Sequence, residues 1–81
     1  MTIKVLFFAQ LKDFFGEDER VVEIDEGITI RELAESIFRE REGASWKTLP
    51  FRYAVNEKFM DYNTQLHSGD VLALIPPVSG G

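Results

Sequence analysis

A single strong helix signal lies near the middle of this 81-residue chain and restricts the folds available to it. Thr29 is placed to cap the helix, and Glu32, three residues later, completes a capping box with it. Ile28 and Leu33 flank the box as a hydrophobic staple. The apolar stripe of this helix consists of Ile30, Leu33, Ala34, Ile37 and Phe38. A stripe at this spacing has to be buried against another layer, so the other segments are expected to supply a sheet.

The predicted helix extends from Ile30 to Glu42, because Gly43 is a residue type that often follows the last helical turn. Arg31, Glu35 and Arg39 are four residues apart and form its polar, outward face.

Two strand patterns precede the helix. Residues 3–9 alternate in polarity, with one wholly apolar face and one mixed face that includes Phe8. The apolar face consists of Ile3, Val5, Phe7 and Ala9. Residues 20–24 resume strand character, and the short connection favours an antiparallel hairpin. Residues 11–15, between the two strands, are expected to form a short turn that stops at Gly16.

Three strand patterns follow the helix. Phe51–Val55 is predicted to be a strand, and a turn at residues 56–58 leads to a short strand at Phe59 and Met60. Val71–Ile75 is an uninterrupted apolar run, which indicates a strand in the middle of the sheet. Pro76 and Pro77 end this strand, because neither can donate a ladder hydrogen bond.

The order of elements is therefore strand, strand, helix, strand, short strand, strand. It predicts an α+β fold with a mixed sheet of four or five strands crossed by one main helix, and it resembles the ubiquitin-like β-grasp order. The composition, 44% hydrophobic and 28% charged, is typical of a globular protein. Residues 1–75 are expected to form one domain, and residues 76–81 a flexible tail.

Composition excludes several classes of function. The chain has no cysteine, so disulfides, thiolate metal sites and a cysteine nucleophile are excluded. A net charge of −5 disfavours a nucleic-acid partner, because phosphate backbones would repel the chain. The sequence has neither a signal peptide nor a long apolar run. We therefore expect no membrane partner and a cytoplasmic location.

Candidate catalytic groups are scarce. His67, the single histidine, lies between a polar stretch and a turn and is interpreted as a surface residue rather than a general base. The acidic clusters at residues 17–19 and 25–26 lack the ligand spacing of a calcium loop. The glycines before the tail are isolated and do not form a phosphate-binding run. No metal, cofactor or self-contained active site is therefore expected on this chain.

The last six residues, Pro76-Pro77-Val78-Ser79-Gly80-Gly81, carry the remaining signal. Carriers with a ubiquitin-like order of elements use their terminal carboxylate as the reactive group. Two glycines present no Cβ to a narrow channel, and six extended residues reach roughly 20 Å. Two prolines stiffen the base of the tail and lower the entropy lost on insertion. Ser79 has no histidine or lysine beside it and is interpreted as a small tail residue.

The sequence resembles the small, sulfur-carrying subunit of molybdopterin synthase nearly from end to end. The matching segments are residues 4–11, 29–33, 54–56, 69–70 and 76–81, including the double proline before the diglycine. The thiamine-pathway sulfur carrier is similar in fold and also ends in diglycine, but it tends to be shorter and lacks the Phe-Phe-Ala opening and the double proline. Glu57 departs from the pattern, because many relatives have a small or amide residue there.

The resemblance implies a cycle of sulfur transfer. An ATP-dependent activating enzyme adenylates the Gly81 carboxylate, and a sulfur donor displaces AMP to leave a thiocarboxylate. The tail then enters the large synthase subunit and donates sulfur to cyclic pyranopterin monophosphate, so that two carriers are consumed for each molybdopterin. The expected assembly is a two-subunit sulfurtransferase, a heterotetramer of two small and two large subunits. ATP is used by the activating partner.

Two hypotheses for a different class of function remain open. The chain could be a ubiquitin-like binding module with an incidental diglycine, or a modifier conjugated to lysines.

An apolar patch on the outward sheet face is predicted to dock partner proteins. Phe8 should lie opposite the helix-covered face, and Ile75 should point outward if its neighbours in the strand point inward. Phe59 and Val78 complete the predicted patch. The alternative is that these side chains pack in a minor core beneath the loops.

Overall fold

The structure is a computed structural model that describes residues 1–40 and 51–77. Its elements in chain order are β1 (Thr2–Phe7), α1 (Gln10–Phe15), β2 (Glu19–Glu23), α2 (Ile30–Arg39), β3 (Arg52–Val55), β4 (Lys58–Met60) and β5 (Val71–Ile75). The strands form one sheet in the order β2-β1-β5-β3-β4. β1 and β5 are parallel and the other pairs are antiparallel. The predicted α+β class with a mixed sheet is confirmed.

The predicted start of the main helix is confirmed in atomic detail. The Glu32 backbone N–H donates to the Thr29 hydroxyl at 3.2 Å, and the Thr29 backbone N–H donates to the Glu32 carboxylate at 3.1 Å. The five stripe residues are all buried. α2 ends at Arg39 among the described residues, and the predicted extension to Glu42 and Gly43 lies outside them.

The core lies between α2 and one face of the sheet. Ile3, Val5 and Phe7 project from β1 into it, as the alternating pattern predicts. Leu72 and Leu74 project from β5, which occupies the centre of the sheet between β1 and β3. A central strand is covered by neighbours on both edges, which agrees with its uninterrupted apolar run.

The segment between β1 and β2 differs from its prediction. β1 ends at Phe7, and Ala9 is exposed with a φ of 51° at the start of α1. Residues 10–15 are helical rather than a turn, with Leu11 and Phe15 buried one helical turn apart. Fewer than two turns show too little periodicity to separate a helix from a turn by sequence pattern. Neither helix in the described part of the chain is long and apolar enough to cross a membrane.

Candidate functional site

The tail predicted to carry the chemistry begins at the centre of the sheet. β5 ends at Ile75, Pro76 is buried and Pro77 is partly buried, so the two prolines pack against the domain. Val78, Ser79, Gly80 and Gly81 lie outside the residues that the structure describes. The structure therefore locates the root of the tail.

The sheet face opposite α2 carries an apolar groove, which we call the sheet groove, with a volume of about 580 Å³. Its lining residues are Leu6, Phe8, Ala54, Asn56, Glu57, Phe59, Val71, Ala73 and Ile75. Three of the four predicted docking residues, Phe8, Phe59 and Ile75, therefore surround one depression beside the root of the tail. The fourth, Val78, is outside the described residues.

The hollow shape of the sheet groove follows from one row of side chains across four strands. Leu6 is in register with Ala73, Ala73 with Ala54, and Ala54 with Phe59. Partners in register project from the same face of a sheet. Two alanines in the centre make a low floor, and larger side chains on either side make the walls. The sequence pattern did not reveal this hollow, because strand register brings the two alanines together.

The groove walls are exposed rather than packed beneath loops. Phe8 is 46% exposed and Phe59 is 58% exposed. Val71 and Ile75 are partly buried, whereas Leu72 and Leu74 between them are fully buried on the helix side, as the period-two pattern predicts. Contiguous apolar surface of this kind is typical of an interaction site.

A polar network holds the turn at one end of the sheet groove. The Asn56 side-chain amide donates to Asp70 at 3.0 Å, and its oxygen accepts from the Val71 backbone N–H at 3.0 Å. Asn56 and Glu57 both have positive φ, 51° and 71°. Both central residues of a tight type I′ hairpin turn need this conformation. Residues 54–56 and 69–70, two separate marks of the resemblance, are therefore in contact.

Arg52 begins β3 at the opposite end of the sheet groove and places its charge over the Phe59 wall. Its guanidinium carbon lies 3.9 Å from the centre of the Phe59 ring, a cation–π contact. Arg52 is in register with Ile75, the last residue of β5, so it lies beside the root of the tail.

Two titratable residues, His67 and Tyr53, lie away from the sheet groove. His67 has an 82% exposed side chain, as predicted, and its Nδ1 lies 3.8 Å from an Asp70 oxygen. Burial raises the pKa of Tyr53, on the helix side of β3, and the nearby Glu35 carboxylate raises it further. Within residues 1–40 and 51–77, no cluster of three or more potential metal ligands occurs. Gly81, predicted to carry the reactive group, lies outside the described residues.

A five-stranded mixed sheet, one main helix and an apolar face beside the last strand define a ubiquitin-like β-grasp protein. Residues 5–81 match the model of the ThiS family, and the chain belongs to this family. The molybdopterin synthase sulfur carrier subunit of Escherichia coli (strain K12) is 34% identical over 83 residues, covering 98% of this chain and 99% of the relative. The resemblance to the small subunit of molybdopterin synthase is thereby confirmed.

Two solved structures are similar in both fold and sequence. A putative molybdopterin converting factor, subunit 1, from Pyrococcus furiosus matches with a TM-score of 0.81 and 30% identity, covering 96% of this chain and 99% of that one. A chain in the complex of subunit 1 and 2 of the molybdopterin-converting factor from Helicobacter pylori 26695 matches with a TM-score of 0.69 and 34% identity over 100% of both chains.

Proposed function

We propose that this chain is the sulfur carrier subunit of molybdopterin synthase, with the Gly81 carboxylate as its reactive group. Membership of the family and the match to curated sulfur carrier subunits carry the proposal. The described residues supply an apolar surface and the root of a tail that ends in diglycine. This division suits a carrier, whose acid–base and phosphate-binding groups belong to its partners.

The chemistry proposed for Gly81 has two stages. In the first, an ATP-dependent partner adenylates the carboxylate and releases pyrophosphate, and a donor that delivers sulfur at the oxidation level of sulfide then displaces AMP to give a thiocarboxylate. In the second, the thiocarboxylate sulfur forms a bond to cyclic pyranopterin monophosphate inside the large subunit, and water cleaves the acyl C–S bond to restore the Gly81 carboxylate. The chain itself contributes the acyl group, the narrow Gly80-Gly81 end and the docking surface.

The large subunit is proposed to cover the sheet groove. One of the similar structures is a complex of subunits 1 and 2 of a molybdopterin-converting factor, which supports a partner of this class. Since Pro76 and Pro77 pack against the domain, the four residues after them span at most about 14 Å. The active site of the partner therefore has to open close to the sheet face, and tight docking beside the tail root brings it there.

Deleting Gly81 tests the reactive residue. The truncated chain is expected to fold normally but to gain no sulfur when incubated with the activating enzyme, ATP and a sulfur donor. Intact-mass spectrometry measures the exchange of one oxygen for sulfur. Ser79→Ala is the matched control in the tail, and it should load sulfur like the wild type because Ser79 is interpreted as a small tail residue.

Three outcomes would contradict the proposed function. Sulfur on the truncated chain would move the reactive group away from Gly81. Transfer of the sulfur to a thiamine precursor, with none to cyclic pyranopterin monophosphate, would make the chain a thiamine-pathway carrier. Conjugates with lysines of many proteins, without sulfur transfer, would make it a protein modifier.

A further inference from the structure

Two opposite charges lie beside the sheet groove. The backbone of Arg52 lies at the tail end, in register with Ile75, and its guanidinium lies over the Phe59 ring. Glu57 lines the groove at the hairpin turn that joins β3 to β4. Arg52 and Asn56, the residue before Glu57, are four positions apart along β3, which corresponds to about 13 Å. The alanine floor of the groove lies between these two backbone positions.

Neither charge is neutralised within the described residues. Arg52 forms a cation–π contact with Phe59, and in residues 1–40 and 51–77 neither Arg52 nor Glu57 has an ion-pair partner. By contrast, Lys4, which shares a face of β1 with Leu6, lies 3.5 Å from the Glu19 carboxylate. Lys4, on the same side of the sheet, is thus paired, whereas Arg52 and Glu57 are available to a partner.

The backbone conformation of Glu57 supports a functional role for its side chain. Its φ of 71° lies in the left-handed region, which glycine adopts without steric cost. The second position of an Asn-X hairpin turn of this kind strongly favours glycine. A carboxylate in this position disfavours the turn locally, and strained residues of this type cluster at functional surfaces.

We propose that Arg52 and Glu57 set the orientation of the docked large subunit, which presents a basic side chain to Glu57 and an acidic side chain to Arg52. This inference rests on the proposed function. Burial of apolar surface has no direction of its own, so a partner turned end for end would cover a similar area of the groove. Such a partner would bring like charges together at both ends, and the resulting repulsion excludes it. Only the correct orientation aligns the tail with the active site of the partner.

A charge swap within the groove tests the proposal. Arg52→Glu and Glu57→Arg are each expected to weaken binding to the large subunit about tenfold or more at low salt, because each places like charges together. The double variant should bind the large subunit end for end, with an affinity closer to that of the wild type than either single variant, but it should transfer no sulfur because its tail points away from the active site of the partner. The formal net charge of the double variant stays at −5, since one change removes two units and the other adds two. The swap therefore separates the positions of the charges from their sum.

Two control variants match the single changes in net charge. Lys58→Glu is the control for Arg52→Glu, because Lys58 is in register with Val55, which packs against the core on the helix side of the sheet. Glu26→Arg is the control for Glu57→Arg, because Glu26 is exposed in another turn and does not line the sheet groove. Both are expected to bind within about twofold of the wild type.

Affinities are measured by isothermal titration calorimetry at low and high salt, with thermal unfolding as a check of folding. The proposal predicts that the losses of affinity of the two single groove variants shrink as salt rises. Wild-type sulfur transfer by the double variant, an affinity of the double variant below that of both single variants, or single variants that behave like their controls would overturn it. Phe8→Ala distinguishes docking at the groove from orientation by its charges. If Phe8→Ala weakens binding while the charge variants do not, the groove docks the partner but the charges do not orient it. Absence of wild-type binding would overturn both.

Discussion

Phe8 offers the sharpest test of the sheet groove as a docking surface. A phenylalanine covers about 200 Å² when buried, so a side chain that is 46% exposed has about 90 Å² left for a partner to cover. At about 25 cal/mol per Å², full coverage contributes about 2 kcal/mol to binding. Phe8→Ala should therefore raise the Kd for the large subunit about 30-fold.

Tyr62 is a matched control for this variant. It is an aromatic residue that is 45% exposed, lies against Arg31 on the first turn of α2, and does not line the sheet groove. Both alanine variants lose the half of the ring that already packs on the domain, so both should lower the free energy of unfolding by about 1–2 kcal/mol. Only Phe8→Ala should weaken binding.

The assay combines urea unfolding of the free chain with titration of the large subunit at 25 °C, where all variants are folded. Wild-type affinity of Phe8→Ala would show that the partner does not cover this face. Equal losses of affinity in the two variants would show that reduced stability, rather than contact, lowers binding. Either result would refute the assignment of the docking surface.

Three further predictions concern the free chain. Glu57→Gly should raise the free energy of unfolding by about 1 kcal/mol in urea titrations, because glycine relieves the left-handed backbone at this turn; an unchanged midpoint would argue against the strain. Arg20→Met should lower the free energy of unfolding by about 1 kcal/mol, because Arg20 donates to Glu40 at 2.7 Å and connects β2 to the end of α2. Added salt should reduce the difference in stability between this variant and the wild type. The raised pKa of Tyr53 means that the folded chain keeps a proton that the unfolded chain loses above about pH 10, so stability should fall as pH rises from there. The free energy of unfolding of Tyr53→Phe should fall less steeply with pH, and identical pH profiles of stability for the variant and the wild type would contradict the raised pKa of Tyr53.

Local rules in the sequence predicted much of the framework. The capping box at Thr29, the apolar stripe of α2 and the central position of β5 depend on residues close together in the chain, and the structure confirms all three. Gly81 could also be predicted as the reactive residue from the sequence alone, because the prediction rests on the chemistry of a terminal carboxylate and on the resemblance to the sulfur carrier family. That assignment is a prediction for the mass measurement.

The short helix α1 was missed for a local reason. Leu11 and Phe15 are spaced for a helix, but six residues cannot show a period, and a positive φ at Ala9 rather than a capping side chain precedes the helix. Packing of Phe15 on Phe7, with ring centres 4.7 Å apart, is a tertiary contact that favours the helical turn.

The sequence by itself determined which faces are apolar, where the main helix begins and how the chain ends. Only the tertiary structure decided that Ala54 and Ala73 are neighbours at the floor of a groove, that Arg52 lies against its Phe59 wall and that Glu57 lines its turn end. Periodicity is a property of one segment, whereas a groove depends on the register between strands far apart in sequence. Register is set by the packing of the whole core, so the shape and charge of the docking surface emerge only when the sheet is assembled.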